Sequence, residues 1–191
     1  MAQPAETRQP EPHLRPSQEV WTVDDLLDLP EGPKYEILDG GLFVSPMADP
    51  WHHRIADRIM ILLDQAAPPG WMAIREIGVA VPNGYLGPDV AVLRPGAPMD
   101  ALATDPSFVA LVIEVESKHS RRYDRFVKPP LYAEAGVESY WRVERTAEGP
   151  IVHLHQNGPG GFVLEHTVKT DETYVETVPF EVVLEPATWM R

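Results

Sequence analysis

Three features of the sequence predict an α/β or α+β sheet domain. One segment carries the apolar stripe of a long helix, and several others alternate or run apolar as strands do. The elements follow in the order strands, helix, strands, helix, strands, without an internal repeat. At 191 residues, 43% of them apolar, the chain suits a single domain with a core of ordinary size.

Residues 1–17 are rich in Pro and polar side chains and cannot offset the entropy of ordering, so they are expected to form a disordered tail before a single domain over residues 18–191. In WTVDDLLDLP, Thr22 can cap a helix with Asp25 three residues on, and Pro30 ends it. KYEILDGGLFVS reads as two strands around an Asp39-Gly40 turn, with Glu36 on the opposite face from Tyr35 and Ile37. PWHHRIADRIMILLDQAA places Ile55, Ile59, Leu62, Leu63 and Ala66 on one stripe of a helix of about four turns, ended by PPG.

WMAIREIGVAV, GPDVAVL and FVALVIEVE follow as three strands, the last so continuously apolar that it is expected to be central and covered on both faces. SRRYDRFVKPPLYAEAG is helical in composition, with a break expected near Lys128 ahead of Pro129 and Pro130 and a short helix ending at Gly136. SYWRVER, PIVHLHQ, GFVLEHTVK and YVETVPFEVVL give several further strands, a C-terminal antiparallel extension.

Composition narrows the chemistry. Without Cys there is no disulfide and no thiolate ligand or nucleophile, so hard divalent cations on oxygen ligands lead any list of metals. No apolar run is long enough for a membrane span and the N-terminus lacks a secretory h-region, so the expected location is cytoplasmic, without a membrane partner. A net charge of -13 argues against a general polyanion binder. The local exception is Lys118, Arg121, Arg122, Arg125 and Lys128, a basic stripe spaced by about one helical turn.

The stripe directly follows an acidic pair in LVIEVESKHS. An ionised carboxylate is costly in a dry strand unless something compensates it. If GPDVAVL and ALVIEVE pair antiparallel, Asp89 comes to lie beside Glu114 and Glu116, which share one strand face with Cα atoms roughly 6.6 Å apart. Three converging carboxylates either take up a proton or gather a cation. Mg²⁺ or Mn²⁺ suits such oxygens and can polarise a phosphoryl group. The stripe at 118, 121 or 122, 125 and 128 would then hold the phosphates of a nucleic acid strand.

Pro88-Asp89 followed by Glu-x-Glu at 114–116 resembles the PD-(D/E)XK nuclease superfamily. The longer string EVESKHSRRYDRFVKPPLYAEAGVESYWRVE, together with YEILDGG, SPMADPWHHRIADRI and GPDVAVL, resembles the bacterial Uma family of restriction endonuclease-like proteins. The resemblance implies a restriction endonuclease-like mixed sheet flanked by helices, Mg²⁺- or Mn²⁺-dependent hydrolysis of DNA, and a homodimer. It implies Asp89 and Glu114 as metal ligands, with the carbonyl of Val115 as a third. The superfamily's usual Lys is replaced by Glu116, a substitution that some of its restriction enzymes share. Lys128, where the family commonly has Lys, is the candidate to reach back into the pocket. Glu36 matches a family Glu, as an outer ligand or a water-positioning group. Lys118-His119 departs from relatives that often carry Pro there.

Plainer readings stand beside these. Asp89 can make an Asx turn after Gly87-Pro88, Glu116 can be a solvated strand end, and residues 118–128 can be a solvated helix face or pair with Asp124. His52 and His53 suit backbone partnering or packing better than metal binding. His153 and His155 share a strand face expected to be exposed, and Tyr140 and Trp141 read as packing. Two functions remain open: a nuclease, favoured by the acidic constellation, and a catalytically inactive module of that fold binding protein or nucleic acid, favoured by the acidity and the missing Lys. A two-carboxylate glycosidase is weak, because Glu114 and Glu116 lie side by side and do not flank a cleft.

Overall fold

The computed structural model describes residues 20–45 and 47–190; the expected disordered tail over residues 1–17 lies outside them. The elements are β1 (Lys34–Leu38), β2 (Gly41–Ser45), α1 (Pro50–Ala66), β3 (Met72–Arg75), β4 (Val79–Val81), β5 (Gly84–Leu86), β6 (Val90–Leu93), β7 (Val109–Val115), α2 (Lys128–Glu134), β8 (Ser139–Arg145), β9 (Pro150–Gly158), β10 (Gly161–Val168), β11 (Tyr174–Glu176) and β12 (Val182–Leu184). The fold is mixed α+β.

A six-stranded sheet runs β10-β9-β8-β7-β6-β3 and a four-stranded sheet runs β2-β1-β5-β4, while β11 and β12 form a separate hairpin. All neighbours in the large sheet are antiparallel except β7 and β8, which are parallel and joined across α2. Every residue of β7 is buried, as its unbroken apolar run requires of a strand covered on both faces. Side-chain alternation divides its packing. Ile113 and Val115 join Ile55, Ile59 and Leu63 of α1, Trp141, and Leu184 of the C-terminal hairpin. Val112 joins Leu38 and Leu86 of the small sheet, Tyr132 of α2, and Tyr140. The small sheet and α2 thus cover one face, and α1 with β12 covers the other.

The β1-β2 hairpin closes on Asp39 and Gly40, both at positive φ (49° and 77°), the backbone that an Asp-Gly turn of this hand demands. Helix α1 starts where the Asp49 carboxylate accepts from the amides of Trp51 and His52, satisfying donors that a helix start leaves open. Its stripe is buried at Ile55, Ile59 and Leu63, with Leu62 and Ala66 half-buried.

Several expectations need correction. The segment near Thr22 is a five-residue 3₁₀ turn, Asp24–Asp28, and the Thr22 amide and hydroxyl donate to Asp25 at 2.8 and 2.7 Å, so Thr22 does not cap with its own oxygen. WMAIREIGVAV is not one strand. Glu76 at φ 54° turns the chain out of the large sheet after β3, and β4 enters the small sheet with β5 across a Pro82-Asn83 turn. The break before Pro129 is a change of helical type: Tyr123–Val127 is a π-helical turn that runs straight into α2, whose first turn tolerates proline.

Candidate active site

Glu114 lies on β7 and Asp89 just before β6, and both side chains point to the face covered by the small sheet and α2. The antiparallel register pairs Val90 with Ile113, and the Val115 amide donates to Asp89 Oδ2 at 2.8 Å. The pairing expected from the sequence is therefore present, with the Asp89 carboxylate held against the strand end. Glu36 arrives from β1. Its Oε1 accepts from the Gly87 amide at 3.1 Å, which ties β1 to the loop that carries Asp89.

Lys128, at the start of α2, stands at the centre. Its Nζ lies 3.0 Å from Glu36 Oε1, 3.0 Å from Glu114 Oε1 and 3.6 Å from Asp124 Oδ1, and Lys128 is only 4% exposed. Tyr132, one helical turn on, donates its hydroxyl to Glu114 Oε1 at 3.0 Å. Lys34 Nζ sits 3.1 Å from Asp89 Oδ1, and His52 Nε2 sits 3.0 Å from Asp89 Oδ2. A single α1 turn after Asp49 brings His52 there.

These contacts set the protonation of the group. Burial opposes ionisation of Asp89, but Lys34 and His52 outweigh it and hold the carboxyl well below the usual carboxylate range. Burial pushes Glu114 up to about 8, against the pull of Lys128 and with Asp89 adding to the rise. Burial likewise pushes Asp124 up to about 6. Burial disfavours the charge on Lys128, yet Glu114, Glu36, Asp124 and Asp89 around it raise its pKa well above the ordinary value. Four carboxylates (Glu36, Asp89, Glu114, Asp124) share two ammonium groups (Lys34, Lys128), which leaves two negative charges in excess when all are ionised.

Glu116 is not a third member of this group, contrary to the expected trio with Asp89 and Glu114. Its side chain is 1% exposed and is gripped by Arg125, Arg142 and Arg121. Burial raises its pKa, but Arg125 and Arg142 outweigh that and lower it. Glu144 extends the same cluster to Arg125 and Arg142. The basic stripe is consequently divided. Lys128 points into the acid group, Arg121 and Arg125 bond Glu116, and only Lys118 and Arg122 of the five make no ion pair among the described residues. The division has a local cause: Lys118 to Ser120 form a turn, and the π-helical turn after Arg122 breaks the regular helical spacing.

A cavity of about 880 Å³ opens above Asp89, Glu114, Lys34 and Lys128. Carboxylate oxygens carrying two excess negative charges match a hard divalent cation in chemistry. As they stand, no three His, Asp or Glu side chains among the described residues are arranged to hold one, and ammonium groups lie against the oxygens of Asp89, Glu36 and Glu114. Holding an ion would require these side chains to rearrange.

The chain is similar to known proteins over most of its length. The family model Uma2, described as "Putative restriction endonuclease", matches residues 23–187. The chain belongs to the Uma2 family. A crystal structure described as "a putative nuclease belonging to DUF820", from Anabaena variabilis, shares the fold at 17% identity with a TM-score of 0.62, over 81% of this chain and 88% of that one. No curated protein matches the chain.

In this Uma2 protein the sequence reading missed Lys34, His52, Asp124 and Tyr132 as members of the cluster. Asp124, Lys128 and Tyr132 follow one another at intervals of four, a spacing that places side chains on one helical face and was open to reading had Pro129 and Pro130 not suggested an interruption. Lys34 lies two residues from Glu36 on β1, hence on the same face. Nothing local marks His52, whose partner Asp89 lies far along the chain, just before β6. His153 and His155 are half-buried, since β9 is an inner strand. Trp141 is core packing as expected, and Tyr140 donates its hydroxyl to the Asp124 carbonyl at 2.6 Å.

Proposed function

We propose that the protein is a metal-dependent endonuclease that hydrolyses DNA phosphodiester bonds, with Asp89 and Glu114 holding Mg²⁺ or Mn²⁺, Val115 contributing its carbonyl, and Lys128 completing the catalytic group. The observation that carries the reading is the buried Lys128 ammonium, 3.0 Å from Glu114. It supplies from a helix the Lys that the resemblance leads one to seek where Glu116 stands. A divalent cation, when bound, supplies Lewis acidity toward a phosphoryl oxygen and eases deprotonation of an attacking water. Lys128 would donate to a non-bridging oxygen as negative charge develops at phosphorus. Glu36 would keep that ammonium aimed. Glu114, which burial pushes up to about 8, would give up its proton as the cation binds, since a nearby positive charge favours the ionised form. Lys118 and Arg122 remain available to phosphates, whereas Arg121, Arg125 and Glu116 serve as an anchoring cluster.

Supercoiled plasmid incubated with Mn²⁺ tests this, using wild-type protein beside Asp89→Ala and Lys128→Met. Nicking by the wild type alone is expected. Equal nicking by all three, or by none under several divalent metals, removes the reading. The second reading, an inactive module of the same fold, draws on the pairing of the acids with Lys34 and Lys128. Titration calorimetry with Mn²⁺ discriminates, because an inactive pocket gives no heat that depends on Glu114. Light scattering tests the expected homodimer.

A further inference from the structure

The cavity's lining is mixed, and the chemistry above uses only its polar part. Leu27, Phe43, Met47 and Leu102 supply an apolar wall, Phe43 as the cross-strand neighbour of Glu36. Met47 is 87% exposed and Leu27 70% exposed. The ring of Phe43 meets that of Tyr123, which also lines the cavity, edge to face with centroids 5.5 Å apart. Apolar side chains held in water beside a charged group are a surface suited to covering by a ligand that is itself apolar on one side.

A nucleotide has that character, with a flat base joined through sugar to a charged phosphate. With its phosphate at Glu114 and Lys128, its base falls within the same cavity, whose volume of about 880 Å³ lies in the range that encloses a small ligand. A base inside a duplex cannot use the wall, since both its faces are stacked on neighbours; an unpaired base can.

The outer surface agrees. Tracking a duplex calls for a basic face, but the chain carries a net charge of -13. Among the described residues most arginines are engaged: Arg125 and Arg142 with Glu116, Arg145 with Asp49, Arg75 with Asp57, and Arg94 with Glu138. Lys118, which also lines the cavity, makes no ion pair among the described residues and is placed to meet a neighbouring phosphate.

We infer that the site takes an unpaired DNA strand, with one base against the Phe43 and Met47 wall and the adjoining phosphate at Glu114 and Lys128. This rests on the nuclease reading and narrows its substrate. The test uses the full chain and three labelled probes: a short single-stranded DNA, a hairpin duplex of the same sequence, and the single strand with its bases removed at successive positions. Binding is followed by fluorescence anisotropy with Ca²⁺ and cleavage with Mn²⁺.

The intact single strand should bind roughly tenfold or more tightly than either other probe, the effect of about one stacked base. Met47→Glu, at a side chain too exposed to matter for folding, should erase most of that advantage and leave thermal melting unchanged. Duplex bound and cut as well as single strand overturns the inference while the nuclease reading stands. Single strand bound in preference but cut with no metal keeps the inference and removes the nuclease reading. Equal binding of the intact and base-free strands, or binding of none, overturns the inference.

Discussion

Glu114 and Glu116 are two residues apart on one strand face, yet their surroundings are opposite. Around Glu114, four carboxylates share two ammonium groups; around Glu116, two carboxylates, Glu116 and Glu144, face three guanidinium groups of Arg121, Arg125 and Arg142. The first group is short of positive charge, and the second has more than it needs. A buried acid short of cations must hold a proton or recruit an ion, whereas one saturated by arginines is fixed in place. The contrast separates a group able to take up a proton or an ion from a brace beside it.

The sharpest way to break the contrast is to neutralise each acid in turn. Glu114→Gln should lower plasmid nicking by about 100-fold or more, the loss expected when a ligand of the proposed catalytic ion is removed, while the melting temperature near pH 8 stays at or above that of the wild type. Glu116→Gln should do the reverse. It strips the carboxylate from the half-buried Arg125 and Arg142 and the exposed Arg121 and should cost about 3 kcal/mol in urea unfolding, most of it from the two half-buried groups, with Mn²⁺ affinity by calorimetry nearly unchanged. Equal losses of stability from both substitutions would erase the distinction.

The pH dependence sharpens it further. The Glu114 pKa is raised in the folded protein, from 4.5 to about 8, so the native state holds its proton more tightly than the unfolded chain. The associated stability is full below about 4.5 and is lost as pH rises toward 8. Urea titrations of metal-free protein should show this decline, and Glu114→Gln should flatten it. Mn²⁺ should raise the melting temperature most at the upper end of that range, since an ion bound only by the native state stabilises it.

The smallest effect concerns an exposed pair outside both clusters. Asp49 has its pKa lowered from 3.8 to about 2, chiefly by the hydrogen bonds from Arg145. Its contribution is present above 3.8 and lost as pH falls toward 2. Exposure to solvent and salt keeps it small. Arg145→Ala should raise the midpoint of acid unfolding slightly in low salt and not at all in high salt.

What could be read in the sequence was local or periodic. Asp39-Gly40 announced the first hairpin, the spacing of Ile55, Ile59 and Leu63 announced α1, and the unbroken run to Val115 announced a central strand. Antiparallel pairing of the two strands then brought Asp89 to Glu114 by geometry alone. What escaped was decided by distant packing. Glu76, at positive φ, splits one apparent strand between two sheets, and no periodicity marks which sheet a short strand joins. Lys34 and His52 reach Asp89 only because the small sheet and α1 dock where they do. Glu116 was grouped with Glu114 because alternation puts them on one face; Arg142, brought by the parallel pairing of β7 with β8, and Arg121 and Arg125, carried by the crossover segment, claimed it instead.

Lys128 also has a mechanical consequence. Its ammonium touches Glu36 on the small sheet and Glu114 on the large one, so a single side chain rivets the two layers beside the Lys34–Asp89 pair and the Gly87–Glu36 hydrogen bond. An occupant that draws this lysine toward itself loosens the joint between the layers, and the cleft can widen at the moment it is filled.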